Sequence, residues 1–377
     1  MTSSRTVIAA VFLTLVTVAV LLLSSCGGPS LSPEVRDEIE RDVEEIMEER
    51  DIPGGVVGVW VPGRGELVLA LGRSDIDTGE EMHLDDRFRI GSITKTFTAT
   101  LILQLKDEGL LGLDDPLDAY VSGVPGGGEI TVRQLCDNTS GLYNYGEDER
   151  LAAALEEDPH RVWSPRELVD IAVSHPPLFA PGEGWAYSNT NFVLLGMIVE
   201  EVTGNGFAEE LRERIIEPLG LTATYLATEP EMKGDYSHGY EYASEESREL
   251  VDRTDYLDPS IVWSAGAMVS NLEDLETWAG ALAGGELLSE ASHREQLSWV
   301  DIPEDGEIDT GYGLGVLYID GLIGHDGRQP GYDAAVFYYP ERETTLVALL
   351  NKAEETSIAM GVLMRIASIL FPDDFGW

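Results

Sequence analysis

Three short motifs constrain the fold most, because each occurs once and they lie far apart in the chain. They are Ser92-Ile-Thr-Lys95, Tyr187-Ser-Asn189 and His325-Asp-Gly327. The chain has only four lysines, and Lys95 is the only one with a serine three positions before it. Together the motifs offer a serine nucleophile, a lysine base, a tyrosine as second proton carrier and a strand that could bind the substrate. The sequence therefore predicts a fold that brings these three segments to one place.

The first motif opens a predicted helix from about Ser92 to Glu108. Residues three apart share a helix face, so Lys95 points at the same spot as Ser92. The first turn also offers free N–H groups and the positive end of the helix dipole to a developing negative charge. A desolvated lysine can lose its proton near neutral pH and act as a base. Alone, such a short motif is also typical of an N-cap serine followed by a surface lysine.

The second motif follows a turn at Pro181-Gly-Glu-Gly-Trp185 and precedes an apolar helix. We expect a lysine cation to lower the pKa of Tyr187, so that the phenol shuttles protons between nucleophile and leaving group. Asn189 both donates and accepts hydrogen bonds and can orient Lys95 and a substrate amide. The alternative is that both residues simply cap the next helix.

The third motif lies between two runs of β-forming residues. Gly327 would let a substrate backbone approach an edge strand closely. The backbone N–H of Arg328 would then pair with that of Ser92 as the second donor to an oxyanion. The alternative is a histidine at a strand end and a turn glycine.

Hydrophobic periodicity predicts an α/β (α+β) fold. An amphipathic helix is expected over 33–50 and a hairpin over 54–71, whereas 312–350 reads as a meander of short strands before a last helix over 355–370. We predict an antiparallel sheet formed by the N- and C-terminal segments and flanked by helices, with an inserted all-helical lobe at about 113–255.

In these motifs the chain resembles the serine β-lactamase and penicillin-binding-protein superfamily, over about residues 34–372. The resemblance is nearest to the branch of class C β-lactamases, D-alanyl-D-alanine carboxypeptidases and esterases. The resemblance implies a β-lactamase/transpeptidase-like fold and an acyl-enzyme at Ser92. It further implies Lys95 as base, Tyr187 as proton carrier, Asn189 as orienting residue and His325, Asp326, Gly327 and Arg328 as the substrate strand. Supporting stretches are Phe88 to Lys95, Ile130 to Leu135, Thr139 to Leu142, Ala180 to Gly182 and Ser264 to Ser270.

Two positions depart from the pattern of this superfamily. Asn138 replaces the usual histidine of a His-Thr-Ser-Gly stretch, and Asp326 replaces a threonine that donates to a substrate carboxylate. An aspartate only accepts, and His325 is expected to be partly charged at neutral pH. A carboxylate substrate would then bind poorly unless the guanidinium of Arg328 compensates or Asp326 points away.

The N-terminus predicts export. Arg5 precedes an apolar run from Val7 to Leu23, which ends in Leu23-Ser-Ser-Cys26 and resembles a bacterial lipobox. We expect a lipoprotein signal peptide at 1–25, lipidation of Cys26, a tether at 26–33 and a membrane-bound protein facing the extracellular or periplasmic side. An uncleaved anchor and an ordinary cleaved signal are the alternatives. Loss of Cys26 would leave Cys136 without a disulfide partner.

Charge and composition limit the classes of molecule that the protein is expected to bind. A net charge of −45 repels nucleic acid. The histidines lack metal-ligand spacing, so no metal and no cofactor are expected.

The functional prediction is an exported serine hydrolase that forms an acyl-enzyme. The first choice is a small-molecule or peptide substrate with a peptide-like or β-lactam amide, of the carboxypeptidase or β-lactamase type, with cell-wall peptide as one candidate. Because of Asp326, two alternatives remain. One is an esterase that acts on neutral acyl esters, and the other is a D-aminopeptidase, since an anion suits a substrate ammonium. A catalytically inactive binding protein of the same fold is a further alternative.

Overall fold

The computed structural model describes residues 31–244, 246–302 and 308–375. The predicted signal peptide and Cys26 lie outside this part of the chain. Over the described residues, no helix combines the length and the apolar content that a membrane span requires.

The described residues contain one large antiparallel sheet of nine strands, in the order β3-β2-β1-β14-β13-β12-β11-β10-β9. The N-terminal hairpin therefore joins the C-terminal meander through the β1–β14 pair, in which Val57 lies opposite Ala348. Its strands are β1 (Gly54–Val61), β2 (Gly65–Asp75), β3 (Glu80–Glu81), β9 (Val300–Asp301), β10 (Thr310–Tyr312), β11 (Leu317–Ile319), β12 (Leu322–Gln329), β13 (Tyr332–Tyr339) and β14 (Thr344–Leu350).

Helices cover both faces of this sheet. Ser32 caps the first helix through its hydroxyl, and Pro33 occupies the first turn, where its missing N–H costs nothing. The helices are α1 (Pro33–Glu49), α2 (Thr94–Asp107), α3 (Val132–Cys136), α4 (Glu149–Glu157), α5 (Pro165–Val173), α6 (Asn189–Thr203), α7 (Phe207–Leu211), α8 (Glu217–Leu219), α9 (Trp263–Gly266), α10 (Leu272–Gly284), α11 (Glu290–Gln296) and α12 (Ile358–Leu370).

The core has two layers because successive strand residues point to opposite faces. In β13, Ala335 and Phe337 pack with α1 and α12, whereas Ala334 and Val336 pack on the other face with α2 and α10. The predicted fold class, an antiparallel sheet flanked by helices, is confirmed.

The inserted segment is mainly helical rather than entirely so. Helices α3 to α8 occupy its first part, as predicted. Its last part also contains strands, which corrects the prediction of an all-helical lobe over 113–255. Strand β5 (Tyr225–Leu226) joins β4 (Phe88–Arg89) and β8 (Met268–Ser270) in a small sheet, and β6 (Tyr240–Ser244) pairs with β7 (Ser247–Asp252).

Helix α2 is buried along most of its length. Its threonines satisfy their hydroxyls by bonding backward along the helix, as Thr96 does to Ile93 O and Thr100 to Thr96 O. Trp278 of α10 also donates to the Thr96 hydroxyl. A helix this enclosed holds its N-terminal residues rigidly at the edge of the sheet.

Candidate active site

The turn before α2 carries Ser92 against strand β12. Gly91 has a φ of 50°, and a β-carbon there would lie 2.5 Å from the backbone nitrogen of Arg328. A β-carbon on Gly327 would lie 2.1 Å from Ile90 O and 2.6 Å from the Ser92 nitrogen. Both positions need glycine because the two backbones touch. This contact brings the N–H groups of Ser92 and Arg328, the predicted oxyanion donors, to one corner.

Lys95 lies one turn after Ser92 and is fully buried. Its Nζ is 2.9 Å from Ser92 Oγ, 2.8 Å from Asn189 Oδ1 and 2.7 Å from the carbonyl oxygen of Ala265. Burial lowers the pKa of Lys95 well below its ordinary value, and the nearby charge of Asp326 acts in the opposite direction. A neutral amine fits this environment, because two N–H groups can serve Asn189 and Ala265 while the lone pair faces Ser92.

Tyr187 contacts the same serine from the opposite side. Its ring lines the open cleft and is half-buried, whereas its hydroxyl lies deeper and donates to Ser92 Oγ at 2.6 Å. Burial raises the pKa of Tyr187 far above its ordinary value, although the hydrogen bond with Ser92 acts in the opposite direction. The prediction that lysine lowers this pKa is therefore wrong. Desolvation of the phenolate outweighs the effect of a lysine that is itself difficult to charge.

Asn138 explains how the segment before α6 is held. It has a φ of 63°, which asparagine tolerates better than most residues, and it is buried. Its Oδ1 accepts from Ser188 N at 3.2 Å and from Asn191 Nδ2 at 2.9 Å, and its carbonyl accepts from Ala186 N. The bonds to the neighbours on either side of Tyr187 give this departure from the superfamily pattern a structural role.

His325 is buried in strand β12 with both ring nitrogens engaged. Nδ1 lies 2.5 Å from the carbonyl oxygen of Asp326, and Nε2 lies 3.1 Å from the hydroxyl of Tyr312. A carbonyl only accepts, so Nδ1 carries the hydrogen and Nε2 accepts from Tyr312. Burial lowers the pKa of His325 to about 4, Asp326 opposes this shift, and Lys95 adds to it. The expected partial charge at neutral pH is therefore absent.

The guanidinium of Arg328 is committed elsewhere. It donates to the carbonyl oxygen of Glu354 at 3.0 Å and to that of Glu355, in the loop before α12. These two bonds tie the side chain of Arg328 to this loop.

These residues border a cleft of about 560 Å³. Polar and apolar side chains both contribute to its lining. Its lining includes the predicted residues Ser92, Tyr187, Asn189, His325, Asp326, Gly327 and Arg328, together with Asn144, Trp185, Ile302, Tyr312, Leu317 and Met360.

Sequence reasoning missed three contributors. Tyr312 fixes the histidine, Ala265 O holds Lys95, and Asn144 Oδ1 accepts from Asn189 N at 3.2 Å. Tyr312 stands in a Gly-Tyr-Gly-Leu-Gly run, which marked it only as part of a strand. A backbone carbonyl such as that of Ala265 leaves no signal in a side-chain motif. Over the ranges that the structure covers, no three His, Cys, Asp or Glu side chains cluster as a metal site would require.

Comparisons with known proteins match both the sequence and the architecture. Penicillin-binding protein 4* of Bacillus subtilis is 30% identical over 318 residues, covering 80% of this chain and 69% of that protein. A D-aminopeptidase of Brucella anthropi is 30% identical over 337 residues, covering 87% of this chain but only 62% of the enzyme. The chain therefore spans less than two thirds of the length of that relative.

Solved structures agree. The D-stereospecific amidohydrolase from a Streptomyces species superposes with a TM-score of 0.75 at 36% identity, covering 84% of this chain and 93% of that one. The D-amino acid amidase from Ochrobactrum anthropi SV3, complexed with L-phenylalanine amide, superposes with a TM-score of 0.80 at 25% identity, covering 90% and 99%. The β-lactamase family model matches residues 39–370. This match confirms the resemblance inferred from the motifs, and the chain belongs to the β-lactamase family.

Proposed function

We propose that this protein is an exported serine hydrolase that forms an acyl-enzyme at Ser92 and cleaves small amides or peptides containing a D-configured residue. The observation that carries the proposal is the convergence of Lys95 Nζ and the Tyr187 hydroxyl on Ser92 Oγ, at 2.9 and 2.6 Å. A nucleophile with a base on one side and a proton carrier on the other is the arrangement that acyl transfer needs.

The chemistry follows from the protonation states. The lone pair of neutral Lys95 takes the proton of Ser92 as Oγ bonds to the substrate carbonyl carbon. The resulting oxyanion is stabilised by the N–H groups of Ser92 and Arg328. When the C–N bond breaks, Tyr187 gives its proton to the leaving nitrogen, and the proton held by Lys95 then restores the neutral phenol. Water then attacks the ester and loses a proton to the same base, and Ser92 is released with its proton restored.

The raised pKa of Tyr187 suits this role. A neutral phenol can donate to a leaving amine and accept in the same step, whereas a phenolate has no proton to give. Asn189 and Ala265 keep the two N–H groups of Lys95 engaged, so that its lone pair stays directed at Ser92.

The choice of substrate rests on the relatives and on the strand. The D-aminopeptidase and the amidases are similar over most of this chain. β-Lactams and D-Ala-D-Ala peptides carry a carboxylate, which needs a positively charged partner. Strand β12 offers a neutral His325, the acidic Asp326 and an Arg328 committed to carbonyl oxygens. D-Configured amides therefore come before the carboxypeptidase and β-lactamase types, which the similarity to penicillin-binding protein 4* keeps as the second candidate.

Export and lipid anchoring form part of the proposal. They are supported by Arg5, by the apolar run from Val7 to Leu23 and by the lipobox-like end at Cys26. Globomycin-sensitive processing in a bacterial host, abolished by Cys26→Ala, is the expected outcome. Release of a soluble protein in both forms would remove this part of the proposal.

The test of activity is a comparison on one preparation. Full-length protein purified in detergent is incubated with a fluorophosphonate probe, D- and L-phenylalanine amide, a chromogenic cephalosporin, a D-Ala-D-Ala peptide and a nitrophenyl ester. We expect a covalent adduct at Ser92 and preferential hydrolysis of the D-amide, with both lost in Ser92→Ala. Absence of any adduct would favour a binding protein, and turnover of the ester alone would favour an esterase.

A further inference from the structure

The carboxylate of Asp326 adds a negative charge to the cleft that also contains Ser92. Asp326 follows His325 in β12, and its side chain lines the cleft with Ser92, Tyr187 and Asn189. Among the described residues, no hydrogen-bond donor reaches this carboxylate. The nearest contact is His325 Nδ1 at 3.6 Å, whose hydrogen is already committed to the backbone oxygen of Asp326. The Asp326 side chain is 24% exposed, so its carboxylate is open to a ligand that donates charge-assisted hydrogen bonds.

The basic groups around the cleft do not compensate this charge. Lys95 is enclosed by three partners, and burial lowers its pKa. His325 is neutral because Tyr312 donates to Nε2 and burial disfavours a second ring proton. Arg328 holds the carbonyl oxygens of Glu354 and Glu355. Strand β12 therefore presents the uncompensated anion of Asp326 to a substrate.

The position of Asp326 fits an amine that is close to the reacting carbonyl. Gly327, the next residue in β12, contacts the turn that carries Ser92. Asp326 is therefore one position along the strand from this contact. In an α-amino acid amide the amine nitrogen is two bonds from the carbonyl carbon. The same cleft is also lined by Trp185, Tyr312 and Leu317, whose apolar surfaces can receive the side chain of the amino acid.

We propose that Asp326 is a specificity-determining residue that binds the primary ammonium group of the substrate, so that the enzyme selects amides with a free α-amine and rejects carboxylates at this position. This inference rests on the proposed acyl-enzyme function at Ser92. A hydrogen bond between an ammonium and a carboxylate is short and charge-assisted, and its loss typically lowers affinity by about 10- to 100-fold. The strongly acidic protein, with a net charge of −45, also attracts cations and repels anions.

The experiment measures the ratio of the kcat/KM values for two substrates. Full-length protein is assayed with D-phenylalanine amide and with N-acetyl-D-phenylalanine amide, which keeps the amide and the ring but lacks the charge. The assay runs at pH 7, below the ordinary α-amino pKa of about 7.7–8.0. Asp326→Asn keeps the shape of the side chain and removes its charge. Asp77→Asn, in the exposed turn between β2 and β3, makes the same change in net charge away from the cleft.

We expect Asp326→Asn to lower the ratio of the two kcat/KM values by about 10- to 100-fold and Asp77→Asn to leave it within about twofold. A change in the basicity of Lys95 in the free enzyme alters the rates for both substrates alike and cancels in the ratio. An unchanged ratio in Asp326→Asn, with a fluorophosphonate adduct still forming at Ser92, would overturn the inference and leave the proposed function standing. Absence of the adduct in the unmutated protein would instead overturn the proposed function.

Discussion

Replacement of Tyr187 by phenylalanine separates proton delivery from nucleophilic attack. The change deletes the hydroxyl that donates to Ser92 Oγ at 2.6 Å. The ring remains, with its edge-on contact to Tyr312 and with Lys95 Nζ 4.8 Å from its centroid. Lys95 also keeps its own contact with Ser92. The variant therefore retains the nucleophile and the base and loses the proton donor.

The expected loss depends on the leaving group. An amine leaves only after it gains a proton, so amide hydrolysis should lose the full contribution of a general acid, about 10²- to 10⁴-fold or 2.7–5.4 kcal/mol. A nitrophenolate leaves without protonation, so ester hydrolysis should fall by less than about tenfold. Loss of one buried hydrogen bond should also reduce the free energy of unfolding by about 1 kcal/mol.

The assay compares kcat for D-phenylalanine amide and a nitrophenyl ester in the unmutated protein, Tyr187→Phe and Tyr145→Phe. Tyr145 is a matched control because it is buried and its hydroxyl donates to Ile261 O at 2.6 Å, outside the cleft lining. It should lose similar stability with no change in the amide-to-ester ratio. An equal loss on both substrates in Tyr187→Phe would refute the assignment of the leaving-group proton to Tyr187.

Three further predictions concern the approach of the two backbones, the base and the surface. Gly327→Ala places a β-carbon 2.1 Å from Ile90 O, so it should separate β12 from the serine turn and lower kcat about 100-fold or more. The control Gly361→Ala, at a position in α12 with open space around it, should preserve activity. Asp326→Asn removes the negative charge that raises the pKa of Lys95, so this pKa falls and the acidic limb of the pH profile for a neutral ester should move to lower pH; a move to higher pH would contradict it. Because a net charge of −45 destabilises the compact state by self-repulsion, Tm should rise between 50 mM and 1 M NaCl, and a fall in scanning calorimetry would show that screened ion pairs dominate.

The sequence predicted most of the regular structure because its periodic segments are also locally consistent. The N-terminal helix was expected over 33–50 and is observed as α1, and the strands of the meander lie where β-branched residues cluster. The last helix begins at Ile358 rather than at 355, because the side chain of Ser357 caps it and also donates to Asp333 of β13. That boundary depends on a contact between distant segments, which a local pattern does not contain.

The same limit applies to the site. Motif chemistry identified the residues that meet at Ser92, but the charge states depend on burial. Tyr187 was expected to respond to the charge of Lys95, and His325 was expected to keep its ordinary pKa, whereas desolvation is the largest contribution to the pKa of each. The direction of the Arg328 guanidinium and the partner of the histidine, Tyr312, are likewise set by tertiary packing. The sequence pattern predicted a wholly helical lobe because its strands, such as those of the β6–β7 hairpin, are short and rich in charged and polar residues.

Asp326 links substrate choice to the state of the base. Its negative charge raises the pKa of Lys95, while burial lowers it, so the free enzyme holds the base between two opposing effects. An ammonium group bound to Asp326 neutralises that charge and adds a cation near Lys95, and both changes lower the pKa of the lysine further. By reciprocity, deprotonation of Lys95 strengthens the binding of the ammonium by the same free energy. A substrate with a free amine would therefore help to generate the neutral lysine that activates Ser92. A neutral or anionic substrate would leave the base more strongly protonated, which adds discrimination beyond that of binding alone.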